Sequence, residues 1–227
     1  VHADRKWGPA ALRRALQVYV LTDRASARGR LEVDLVAAAL AGGATAVQLR
    51  DKERPARELH ALGRALADLC AARGALFVVN DRLDVALACG ADGVHLGQDD
   101  LPAGAARAVA GPALVIGVSA ATPDEAAAAA DAGADYLGVG SVFATRTKAD
   151  AGAPIGPEGL SRVARSTGLP VVAIGGLRPE NAGLALSAGA AGVAAISAVI
   201  SATDVAAECA RLALSVRRAL VQGPDPA

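Results

Sequence analysis

Short apolar runs alternate with longer stretches of helical spacing along the chain. The runs are QVYVLT (17–22), TAVQLR (45–50), ALFVVN (75–80), DGVHLG (92–97), ALVIGVS (113–119), DYLGVG (135–140), PVVAIGG (170–176) and GVAAIS (192–197). They are β-branched and continuous rather than alternating, the pattern of parallel strands buried on both faces. The clearest helix is PARELHALGRALADLCAARG. Pro55 suits its first turn and Gly74 the residue after its last, while Leu59, Leu62, Leu66 and Leu69 make one stripe. Arg57, Arg64, Asp68 and Arg73 are left for water. Further helical stretches cover 31–42, 82–89, 101–109, 123–132, 157–166, 179–188 and 203–220.

The segments AGGATAV, ACGADGV, DAGADYL and SAGAAGV each close a helix on glycine and lead into a strand. Glycine accepts the left-handed conformation that a short helix-to-strand turn needs. Eight strands and eight helices in this order predict an α/β fold, a closed single-domain (β/α)8 TIM barrel over residues 17–221. A doubly wound open sheet is the alternative. The count of eight favours the barrel, as does the lack of a dinucleotide-type glycine fingerprint after the first strand. Residues 1–16 read as an N-terminal extension, helical in part, and 222–227 as a disordered tail.

Composition narrows the function. Of 227 residues 53% are hydrophobic, enough for a sizeable core. Lys+Arg and Asp+Glu both number 23, so there is no global attraction for nucleic acid or an anionic membrane. Aromatic content of 2% argues against a base-stacking platform. Cys70, Cys89 and Cys209 are odd in number and far apart, reading as reduced thiols of a cytoplasmic protein. The start lacks the apolar core of a secretory signal, and no apolar run is long enough to span a membrane.

Polar residues gather at or just beyond the C-terminal ends of the strands, where such barrels place their chemistry. Gln48, Arg50 and Lys52 alternate in QLRDK, so an extended chain would point all three the same way. Lys148, in the long Gly/Ala loop 140–156, puts two of only three lysines on that face. Such a cationic cluster calls for an anionic ligand or carboxylates. Asp81 and the Asp99–Asp100 pair follow consecutive strands and suit Mg²⁺; helix N-capping is the plain alternative for each. Gly175–Gly176 after strand seven and Ser197 after strand eight suit a phosphate monoester. His95, inside a strand, reads as a packed, hydrogen-bonded side chain. No Ser-His-Asp triad and no zinc motif is present. A monophosphate seat beside a cationic cluster and a Mg²⁺ pair suits transfer of a carbon group away from a diphosphate.

The motifs YVLTDR, QLRDK, VVNDR, GVHLGQDD, IGVSA, YLGVGSVFATRTK, AIGGL and ISA occur in order. With them, nearly the whole chain after residue 17 resembles the thiamine-phosphate synthase family. The resemblance implies a transferase that joins hydroxymethylpyrimidine diphosphate to thiazole phosphate, or its carboxylated form, releasing thiamine phosphate and diphosphate. It implies Gln48 and Asn80 at the pyrimidine, and Arg50, Lys52, Ser119 and Lys148, with Asn80 nearby, at the diphosphate. It further implies one Mg²⁺ on Asp81 and Asp100. Thr145, Thr147, Gly176, Ile196 and Ser197 would hold the thiazole phosphate. The partners implied are small phosphorylated molecules; monomer, dimer and trimer stay open. Arg146 and Arg82 sit where the family varies, and the extension has no counterpart in the match. The rivals are a thiazole tautomerase paralogue, which needs no diphosphate cluster, and a non-catalytic phospholigand sensor.

Overall fold

Each apolar run becomes a strand, shortened at its ends. The computed structural model describes residues 6–145, 147 and 153–222. The strands are β1 (Val18–Leu21), β2 (Ala46–Leu49), β3 (Leu76–Asn80), β4 (Gly93–Leu96), β5 (Val115–Ala120), β6 (Tyr136–Val139), β7 (Val171–Ile174) and β8 (Gly192–Ala195). Each pairs parallel with its sequence neighbours, and β8 pairs with β1, so the sheet closes as the expected eight-stranded barrel. The helices are α1 (Pro9–Ala15), α2 (Arg24–Ala27), α3 (Glu32–Ala41), α4 (Ala56–Arg73), α5 (Leu83–Cys89), α6 (Ala103–Ala110), α7 (Pro123–Asp131), α8 (Gly156–Arg165), α9 (Ala182–Ser187), α10 (Ser197–Ile200) and α11 (Val205–Gln222). The short α2 and α10, after the first and last strands, are additions to the eight helices that the pattern predicts.

The four glycine turns have the backbone the sequence requires: Gly43, Gly90, Gly133 and Gly189 all have positive φ. The residue two places later adds a second device. Thr45 Oγ1 accepts from Val18 N at 2.9 Å, Asp92 from Phe77 N at 3.0 Å and Asp135 from Ile116 N at 2.8 Å. These side chains satisfy backbone donors at the lower rim that the strand ladder leaves open.

A strand turns alternate side chains to opposite faces. Val18 and Val20 therefore pack outward with the helices, and Tyr19 and Leu21 inward with Leu76, Val115, Tyr136 and Val172. The inward cluster continues into the N-terminal extension. Leu12, Ala15 and Leu16 of that segment are buried in it, and Trp7 packs alongside. The backbone at Leu16–Gln17 crosses so close to Gly192 that a Cβ there would overlap the Leu16 carbonyl. The extension is thus a stopper at the lower end of the barrel. An ionic tie, Lys6 to Asp92 at 2.6 Å, is mostly exposed at its lysine and adds little.

An apolar stopper makes the balance of effects testable. Leu16→Ala should cost about 2–4 kcal/mol in urea unfolding, since Leu16 is fully buried. Lys6→Ala should cost under about 1 kcal/mol. Equal losses would show that the ion pair, not the buried face, holds the extension in place.

Candidate active site

A cavity of about 840 Å³ opens at the C-terminal end of the barrel. It is lined by Arg50, Lys52, Asn80, Asp81, Asp100, Ser119, Thr145, Thr147, Gly176, Ile196 and Ser197. The described site residues thus meet at one place, with Gln48 as the exception. Its side chain is buried in the barrel interior, below the cavity wall, where Nε2 donates to Tyr19 Oη at 2.9 Å. β2 ends at Leu49, and Gln48 is buried where Arg50 and Lys52 line the cavity. Lys148 lies outside the described residues, as do Arg146 and residues 223–227.

The cationic side is braced from beneath. Thr22 Oγ1 accepts from Arg50 N at 2.9 Å, and Asp23 accepts from the Arg50 guanidinium at 3.2 Å while capping α2 through Ser26 N. Past Arg50 the chain turns on Asp51, whose carboxylate accepts from Glu53 N, Arg54 N and Arg54 Nε, each at 3.0 Å. Arg54 in turn meets Glu32 at 2.5 Å. This brace holds the exposed Lys52 at the rim.

Opposite stand the two acids. Neither caps a helix: α5 has Arg82 and α6 has Pro102 at that position, both without a side-chain cap. Asp81 has φ 63, a left-handed conformation that costs a non-glycine residue about 1 kcal/mol or more. Its carboxyl is close enough to Asp100 to share a hydrogen bond. Burial, then the facing Asp100 carboxylate, push the Asp81 carboxyl up to about 6, against the opposing pull of Lys52 and Arg50. Asp100 is itself turned in by Gly97 N, which donates to Oδ2 at 2.7 Å. Among the described residues no three His, Cys, Asp or Glu side chains gather as a metal cage. Two hard carboxylates beside open cavity space fit Mg²⁺, which takes one or two carboxylates and completes its shell with water and phosphate oxygens.

On the other side of the cavity three hydroxyls cluster. Thr147 Oγ1 lies 3.0 Å from Ser197 Oγ, and Thr145 Oγ1 accepts from Thr147 N at 3.2 Å. The loop bearing them is pinned to the end of β7: Val142 N donates to Ile174 O at 2.9 Å and Phe143 N to Gly175 O at 3.0 Å. Gly175 and Gly176 both have positive φ, and a Cβ on Gly176 would stand 2.7 Å from Ala144 O. Asn181, which sequence reasoning passed over, holds that turn by donating to Gly176 O and accepting from Arg178 N, both at 2.9 Å. Its signal was faint, one amide three residues after Arg178.

Comparison with known proteins decides among the barrels of this shape. The thiamine monophosphate synthase family model matches residues 18–199. The chain belongs to the thiamine-phosphate synthase family. It is 56% identical over 202 residues to the thiamine-phosphate synthase of Moorella thermoacetica, covering 89% of this chain and 96% of that one. It is 50% identical over 196 residues to that of Methanospirillum hungatei, covering 86% and 95%. The solved thiamine phosphate pyrophosphorylase from Pyrococcus furiosus superposes with a TM-score of 0.85 at 46% identity, covering 92% and 99%. Like its relatives, this family member is an enzyme, a transferase of thiamine biosynthesis. Among the described residues no helix is long and apolar enough to cross a membrane.

The facing acids carry a stability signature. The folded Asp81 binds its proton more tightly than the unfolded chain does. Stability therefore falls as pH rises from about 4 to about 6, and the repulsion is fully felt above that window. Without metal, Asp81→Asn should stabilise the protein at pH 7.5 by about 1 kcal/mol, a figure reduced for the group's partial exposure. The gain should shrink toward pH 4, as followed by thermal melts across pH. A gain independent of pH would mean that only the left-handed backbone preference of asparagine had changed.

Proposed function

We propose that this chain joins hydroxymethylpyrimidine diphosphate to thiazole phosphate, giving thiamine phosphate and diphosphate. The observation that carries the reading is the facing Asp81–Asp100 pair with Arg50 and Lys52 in electrostatic reach. It shares one cavity with the separate hydroxyl cluster of Thr145, Thr147 and Ser197. A tautomerase handling only the thiazole phosphate would have no use for the first group.

In this reading Arg50, Lys52 and Ser119 hold the diphosphate, and each donates hydrogen bonds to oxygens on which charge builds as the carbon–oxygen bond breaks. Lys148 directly follows Thr147 in sequence and is assigned to the same leaving group. Asn80, half-buried on the cavity wall, positions the pyrimidine, and Gln48 supports that subsite from the layer below. Thr145, Thr147, Gly176, Ile196 and Ser197 seat the thiazole phosphate. Asp81 and Asp100 would hold one Mg²⁺, which supplies positive charge to the diphosphate when bound. The departing group leaves an electron-poor pyrimidine methylene, and the thiazole nitrogen attacks that carbon. Holding both reactants in one cavity replaces an encounter in solution with an oriented one. The three buried free thiols fit a reducing compartment, the cytoplasm.

The decisive experiment mixes the purified protein with both substrates and Mg²⁺ and measures thiamine phosphate. Product should form, and chelation should stop it. Lys52→Ala should lower turnover about 100-fold with the fold intact. Added Mg²⁺ should raise the melting temperature of the parent and not of Asp81→Asn. Correctly folded protein that forms no product would remove the synthase reading. An unchanged magnesium shift in the variant would remove Asp81 as a ligand.

A further inference from the structure

The two tyrosines of the chain, Tyr19 and Tyr136, both point into the barrel interior and meet there. Their hydroxyls lie 3.0 Å apart, with the rings edge to face at 6.2 Å between centroids. Gln48 Nε2 bonds Tyr19 Oη at 2.9 Å from the neighbouring strand. Above, Tyr136 Oη lies 3.0 Å from His95 Nδ1, and His95 Nε2 lies 3.0 Å from Ser119 Oγ. The result is an unbroken line from a buried amide to a residue on the cavity wall. Two glycines make room for it. A Cβ on Gly117 would overlap the Tyr136 ring, and one on Gly138 would stand 2.8 Å from His95 Cε1.

Proton counting gives the line a direction. With the Gln48 amide turned so that Nε2 faces Tyr19, it can only donate, and the Tyr19 oxygen accepts there. Each phenol then has one proton to place. If Tyr19 donates to Tyr136 and Tyr136 to His95 Nδ1, both protons find acceptors. If Tyr136 donates to Tyr19 instead, the Tyr19 proton is left without an acceptor in a residue 2% exposed, which is costly. Burial also pushes both phenols well above their usual range, so they stay protonated donors.

We propose that His95 is a positioning residue, held by this line in the neutral Nε2–H tautomer so that Ser119 keeps its own hydroxyl proton for the cavity. The direction matters because the ligand assigned to Ser119 is an anion without protons to give. A serine that spent its proton on histidine would face that anion with lone pairs. One that accepts from Nε2–H can donate to it. The role of the Ser119 proton rests on the synthase reading; the tautomer does not.

The test uses the full chain with ¹⁵N-labelled histidine. The His95 imidazole, assigned by its loss in His95→Gln, should show Nε2 protonated and Nδ1 bare. Tyr136→Phe should mix the tautomers and lower turnover about tenfold, with KM for the thiazole phosphate unchanged. In a Ser119→Ala background Tyr136→Phe should cost nothing more, because the line acts through that hydroxyl. A bare Nε2 in an active enzyme overturns the proposal, as does a Tyr136→Phe loss that multiplies with that of Ser119→Ala. Absence of product from the parent enzyme overturns the synthase reading and the use of the serine proton, whatever the spectrum shows.

Discussion

Closure of the sheet is the constraint on which the rest depends. Each strand pairs with its neighbours in sequence, and β8 returns to β1, so no edge is left bare. Closure divides every strand into residues that face helices and residues that face the axis. The axial set is small, and at the lower end it is apolar. Higher up, Gln48, His95 and Ser119 replace aliphatic side chains at the same inward positions. The chemistry of the rim therefore continues the register of the core, and it inherits the core's rigidity.

Charge at the rim is arranged as opposed groups. Arg50 is tied to Asp23, and the turn after it to Asp51, Arg54 and Glu32. The acids across the cavity are left crowded, with Asp81 in a strained backbone and its proton held too tightly for a free carboxyl. Such a site is poised for a ligand that brings cations to the acids and anions to the arginine and lysine. Strain of this kind persists because the barrel around it fixes the positions of β3 and β4.

The fold was legible in the sequence because strand runs and glycine-closed helices report local backbone preferences. QLRDK shows where that reading stops. Alternation grouped Gln48, Arg50 and Lys52, but it could not tell that Gln48 is buried while the other two line the cavity, nor that the chain turns on Asp51 after β2. Asp81 and Asp100 suited Mg²⁺ from sequence, with helix capping open for each because aspartate before a helix is the ordinary cap. Only the third dimension shows that they face one another. His95 read correctly as a hydrogen-bonded strand residue, but its partners are 24 and 41 residues away. Tyr19 and Tyr136, 117 residues apart, carry no local sign that they touch.

The extension before β1 has a consequence for traffic. With Leu12 and Leu16 covering the lower end and axial side chains filling the interior, the barrel is solid beneath its cavity. Whatever arrives, and whatever is made, shares the mouth at the upper rim.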